Sequence, residues 1–174
     1  ITGTGNLDIA NGTIKLDGNY PTGTNNVALG DTALSSGSLS GASNTAIGHA
    51  ALIANTSGNV NTGIGKQALT ANTTGSNNVA LGGQALDANT TASFNTAIGY
   101  NSLTSNLIGA NNTALGYQSL CKNTASNNTA VGYNALVANT TGTNNVAIGK
   151  DSMDSSTTGS ANTAVGVDSM QSNT

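Results

Sequence analysis

A five-residue phrase, Asn78-Val79-Ala80-Leu81-Gly82 in its middle copy, returns nine times along this chain. The copies begin at Asn26, Asn44, Asn61, Asn78, Asn95, Asn112, Asn128, Asn145 and Asn162, at intervals of 18, 17, 17, 17, 17, 16, 17 and 17 residues. A period of that size, sustained to the end of the chain, calls for a solenoid with one supersecondary unit per repeat. The unit reads N-[T/V]-A-[I/L/V]-G-x-x-[A/S]-[L/M]-x-x-N-T-T-G-x-N, with Gly63 standing in the alanine column of the third copy.

The spacing predicts an all-β parallel solenoid with two short strands per coil. Val79-Ala80-Leu81 reads as the first strand, with a β-branched Val or Thr leading it. Alternation then puts Val79 and Leu81 on one face and Ala80 on the other. Two aliphatic columns are expected to form the core: Leu29, Ile47, Ile64, Leu81, Ile98, Leu115, Val131, Ile148 and Val165, and a second column from Leu34 and Leu52 to Met153 and Met170. Gly30, Gly48, Gly65, Gly82, Gly99, Gly116, Gly132, Gly149 and Gly166 never miss their place and are expected at the corner between the strands, where a side chain would not fit. Asn72-Thr73-Thr74-Gly75 has the composition of the other corner. The residue gained near Gly37-Ser38-Leu39-Ser40 and the one lost near Asn123-Thr124-Ala125-Ser126 fall in these loops, so the strands keep their spacing.

Composition narrows the function classes. Charged residues make up 6% of the chain and aromatics 3%, against roughly a quarter charged in an average soluble protein. Such a mixture suits disorder, but disorder has no reason to hold apolar residues in fixed columns. Four lysines, seven aspartates, no Arg and no Glu give a net charge of −3, without the basic patch that nucleic-acid binding needs. The apolar runs are too short to insert in a membrane. One His and no Glu leave little for acid–base pairs or nucleophilic triads, so no enzyme and no cofactor is expected. His49 has no second ligand at matching spacing, so no metal is expected either. Cys121 reads as a half-buried filler.

Residues 1–24 stand outside the repeat as a lead-in to the array at 25–174. Leu7 to Leu16 alternates around Asn11-Gly12, which predicts a β-hairpin with Ile9 opposite Ile14 and Asp8 opposite Lys15. The chain opens on Ile1 without an initiating Met, as expected of a segment or a processed product. Two large aliphatics per 17 residues are few to offset the cost of ordering the coil. Several chains packed side by side are therefore expected, with the small Ala80 face turned to a neighbour.

The phrases Asn-Thr-Ala-Ile-Gly-Tyr at 95–100, Asn-Asn-Thr-Ala-Leu-Gly-Tyr at 111–117 and Asn-Asn-Val-Ala-Ile-Gly at 144–149 resemble the head repeats of YadA-like trimeric adhesins. The longer unit, with its Asn-Thr-Thr-Gly turn, looks more like repeats in bacteriophage tail-fibre proteins, often made with a C-terminal chaperone domain that is not visible here. The resemblance covers residues 25–174. It implies a left-handed β-roll, a homotrimer, and a shaft or head of a virion tail fibre that supports host attachment. The alternative it implies is the head of a bacterial trimeric autotransporter adhesin on the cell surface. Nine coils at ~4.8 Å give an array roughly 43 Å long.

Three columns are candidate sites. The nine asparagines are expected to ladder along the axis and cap the turn, the alternative being sugar binding by stacked amides. Tyr100, Tyr117 and Tyr133 follow the corner glycine in three successive coils and are expected to stack, either covering a subunit seam or offering a receptor or glycan contact. Thr73, Thr90, Thr124, Thr140 and Thr157 share a turn column, which raises ice binding as a distant third reading. Leu107 and Ser57 interrupt the turn's threonines, and Thr73 and Thr74 point to opposite faces.

Overall fold

The computed structural model describes residues 24–173. The hairpin expected between Leu7 and Leu16 lies outside them. The described chain contains no helix and one sheet of nine three-residue strands. These are β1 (Val27–Leu29), β2 (Thr45–Ile47), β3 (Thr62–Ile64), β4 (Val79–Leu81), β5 (Thr96–Ile98), β6 (Thr113–Leu115), β7 (Thr129–Val131), β8 (Val146–Ile148) and β9 (Thr163–Val165). Neighbours in sequence are parallel neighbours in the sheet, and each column meets itself: Val79 pairs with Thr96, Ala80 with Ala97, Leu81 with Ile98. The molecule is a parallel β-solenoid.

The two irregular intervals leave this register intact. Val27 pairs with Thr45 and Thr113 with Thr129, so the extra residue and the missing one are both taken up in loops. Backbone geometry sets the strand limits. Asn77 precedes β4 at φ 58° and Gly82 follows it at φ 137°, and the same pair of left-handed residues brackets every strand. Neither conformation continues an extended chain, so each strand stops at three residues.

The alternation has the opposite sense to the one expected. Ala80 is fully buried, whereas Val79 is 38% and Leu81 43% exposed. The core is the alanine column packed against the second aliphatic column, Leu34, Leu52, Leu69, Leu86, Leu103, Leu120, Leu136 and Met153. The first aliphatic column, Leu29 to Val165, lies on the outer face of the sheet. Room inside decides the matter. At Gly63 an added Cβ would already sit 3.4 Å from Leu52 Cδ1 and 3.3 Å from the Ala68 carbonyl, so a methyl group fills the space that the leucine leaves.

The expected second strand of each coil is also absent among the described residues. In its place the chain bends, with Gln84 at φ 57° and Leu86 at φ 52° in one coil and the same two positions left-handed in every other. Hydrogen bonding still runs from coil to coil: the Leu86 N–H donates to Ser102 at 3.1 Å and the Gln84 N–H to Lys66 at 2.9 Å, in opposite directions along the axis. Left-handed leucine is unfavourable in isolation. Here it aims a large side chain inward from a wall only a few residues long, and complete burial in eight coils offsets the strain.

Candidate functional site

The asparagine column lies inside the solenoid. Asn44, Asn61, Asn78, Asn95, Asn112, Asn128 and Asn145 are fully buried, and Asn26 and Asn162 at the two ends are partly so. Each makes a two-way connection. Asn61 Oδ1 accepts the backbone N–H of Asn78 at 3.0 Å, and Asn61 Nδ2 donates to the Gly75 carbonyl at 2.8 Å in the turn of its own coil. A hydrogen-bonded side chain buried this fully has no face left for a sugar. The column is a structural ladder.

A second amide ladder, which the repeat hides inside its Asn-Thr-Thr-Gly turn, runs beside it. Asn55, Asn72, Asn89, Asn106, Asn123 and Asn139 are all buried. Asn72 Nδ2 donates to Asn55 Oδ1 at 2.8 Å and to the Gly75 carbonyl at 3.0 Å, and Asn89 repeats the pattern on Asn72 and Ala92. Leu39, buried, ends this ladder in the first coil, and Ser156 takes its place in the eighth. The recurrence of asparagine at the first residue of this turn in six successive coils, Asn55 to Asn139, was the signal for it.

The nine corner glycines all have φ between 127° and 142°. A Cβ on Gly82 would lie 2.5 Å from the Gly99 carbonyl oxygen, because corners stack directly on one another. These glycines serve the close approach of successive backbones.

What faces outward at the corner is the next column: Asp31, His49, Lys66, Gly83, Tyr100, Tyr117, Tyr133, Lys150 and Val167. The three tyrosines stack, with ring centroids 5.9 Å apart between Tyr100 and Tyr117 and 5.3 Å between Tyr117 and Tyr133, at interplanar angles of 17° and 8°. About half of each ring is exposed. Below them Lys150 holds Asp151 at 2.8 Å, which keeps the Asp151 carboxyl below its ordinary range and raises the Lys150 ammonium. At the far end His49 stands 3.8 Å from Asp31. The inner neighbour of this column is rich in side-chain amides: Gln67, Gln84, Asn101, Gln118 and Asn134, all half-buried.

Gly83 interrupts the strip. It leaves a shallow cleft of about 310 Å³ lined by Lys66, Gln67, Gly83, Gln84 and Tyr100. Among the described residues no carboxylate lies within 4.0 Å of the Lys66 ammonium.

The turn threonines spend their hydroxyl protons on the next coil: Thr73 donates to the Thr90 carbonyl and Thr140 to the Thr157 carbonyl, both at 3.0 Å. Cys121 is free and half-buried, and burial pushes its thiol pKa up. Among the described residues no group of three His, Cys, Asp or Glu side chains converges on a point that could hold a metal ion, and no helix is long and apolar enough to cross a membrane. Comparison of the chain with family models, with curated proteins and with solved structures returned no match.

Proposed function

We propose that this array is a structural segment of a homotrimeric, left-handed surface fibre, a phage tail fibre on the virion, that supports attachment to a host surface. The observation that carries the reading is the outer face of the sheet. Across nine coils it presents only two columns, Thr or Val beside Leu, Ile or Val, without a single charged residue. Val27, Leu29, Val79, Leu81, Leu115, Ile148 and Val165 are each more than a third exposed there. A flat, uncharged strip of that length on a single chain favours burial against like surfaces. Three copies with their sheet faces turned to a common axis would bury it, in place of the alanine face, which is already inside. The role is mechanical: the coils stack to a set length and hold a receptor-binding element away from the particle.

Sedimentation equilibrium of the purified protein tests this. A mass three times the 16.9 kDa of one chain supports it, and a stable monomer overturns it. The second reading, the head of a bacterial trimeric adhesin, draws on the tyrosine strip, which puts a contact surface on the roll itself. A membrane-anchor β-barrel following the array in the full-length protein would decide for the adhesin, and a virion-attachment or self-cleaving chaperone domain for the fibre.

A further inference from the structure

We infer that the cleft at Gly83 binds a single acidic hexopyranose, a uronic acid residue of a surface polysaccharide. The proposal deepens the attachment reading, on which its biological setting rests, but the geometry is that of one chain.

The cleft combines three things that a sugar ring uses together. One is an aromatic wall: Tyr100 ends the stack and its ring lines the cleft, lying close over Gly83 with Cδ2 3.2 Å from where a Cβ would stand. The axial C–H bonds of a pyranose pack on such a ring. Next are hydrogen-bonding groups that both donate and accept, the amides of Gln67 and Gln84, which match vicinal hydroxyls and would find no use against an aromatic ligand. The last is a cation on the opposite rim. Lys66 carries an ammonium group without a carboxylate partner among the described residues, and a uronate supplies one.

The rest of the strip sharpens the assignment to this one place. Tyr117 is covered on one face by Tyr100 and on the other by Tyr133, which leaves only its edges to a ligand, and the column residue beyond Tyr133 is Lys150. Lys150, the cation at the other end of the stack, is already paired with Asp151 at 2.8 Å. Among the described residues, the cleft at Gly83 is where the ring that ends the stack, two amides and a cation outside any ion pair meet.

The test uses the whole protein with two probes, methyl β-D-glucuronide and methyl β-D-glucoside, followed by NMR shifts of the tyrosine ring protons on titration. Saturable shifts with the glucuronide, and affinity about tenfold weaker for the glucoside, are expected. Lys66→Gln is expected to bring the two probes to equal affinity, and Gly83→Val to abolish binding of both by filling the cleft. The column carries Val167, His49 and Lys150 in other coils, so the fold accommodates a side chain at 83, and an unchanged melting temperature verifies it. Absence of saturable shifts with either probe overturns the proposal, as does a Gly83→Val protein that binds like the parent. Equal affinity of the parent for both probes overturns the acidic specificity. Sedimentation of the same samples reads the assembly separately, so a trimer that binds neither sugar sinks this proposal and leaves the fibre standing.

Discussion

The side chain of Asn61 satisfies two buried backbone groups at once, the N–H of Asn78 in the next coil at 3.0 Å and the carbonyl of Gly75 in its own turn at 2.8 Å. A single amide thereby ties the start of a strand, the far turn and the neighbouring coil together. The same arrangement recurs up the array.

Asn61→Ala leaves the Asn78 N–H unpaired in the interior, while the Gly75 carbonyl keeps its bond from Asn72 Nδ2 at 3.0 Å. For one unsatisfied buried group the loss is about 1–3 kcal/mol. A fall of that size in urea-unfolding free energy checks it; a change under about 0.5 kcal/mol would show that water replaces the side chain.

Two adjacent glycines should behave in opposite ways. Gly82→Ala places a methyl group 2.5 Å from the Gly99 carbonyl at a φ of 137°, a collision with backbone that cannot move without shifting a coil. Gly83→Ala is pressed only by the Tyr100 ring, at 3.2 Å, and that side chain can shift away. The first variant is expected to lose several kcal/mol or fail to fold, the second to stay within about 0.5 kcal/mol of the parent in thermal denaturation.

The two aliphatic columns separate stability from assembly. Leu86→Ala empties a fully buried site and is expected to cost about 2–5 kcal/mol whatever the oligomeric state. Leu81→Lys changes an exposed side chain on the sheet face. It should leave the circular dichroism spectrum of the coil unchanged while lowering the sedimenting mass to that of one chain. A Leu81→Lys protein that remains trimeric would remove the sheet face from the interface.

Val60 is a β-branched residue held at φ 56° and more than half exposed, where five other coils have asparagine. Asparagine tolerates the left-handed region and valine does not. Val60→Asn is therefore expected to stabilise the protein by about 1 kcal/mol, read as a higher urea midpoint.

Burial raises the Cys121 thiol, and neighbouring Lys122 opposes this only in part. Since the folded pKa lies above the unfolded one, the contribution to stability is full below the unfolded value and is lost as pH rises through the folded value. Alkylation by iodoacetamide, which needs the thiolate, is expected to run slower at pH 8 than on a denatured sample, and to accelerate at higher pH. Equal rates in the two states would refute it.

Much of the architecture was legible because it repeats. The period gave the solenoid, the glycine column gave the corners, and the asparagine column pointed to a ladder. The sense of the alternation was not legible, because both faces of Val79-Ala80-Leu81 are apolar and a hydrophobic pattern cannot choose between them. Only the depth of the interior chooses, and it depends on how far Leu86 reaches across. Leu86 was itself misleading: a leucine in a left-handed bend has no sequence signature, so its wall reads as a strand. The cleft at Gly83 was hidden for a different reason. A glycine in a variable column looks like the absence of a preference, and its meaning arises only when Lys66 and Tyr100 are seen on either side of it.

Strand pairing in this molecule joins residues 16 to 18 positions apart, from Val27 and Thr45 at one end to Val146 and Thr163 at the other. That is ~0.1 of the chain length, the locality of a helical bundle rather than of a β-sandwich, so the array escapes the slow closure of distant loops that burdens most sheets. Each finished coil is also the template for the next, offering a row of N–H and carbonyl groups in the right register. Once a first pair of coils has formed, the search each later coil must make is the same, and lengthening the array adds time in proportion rather than in kind.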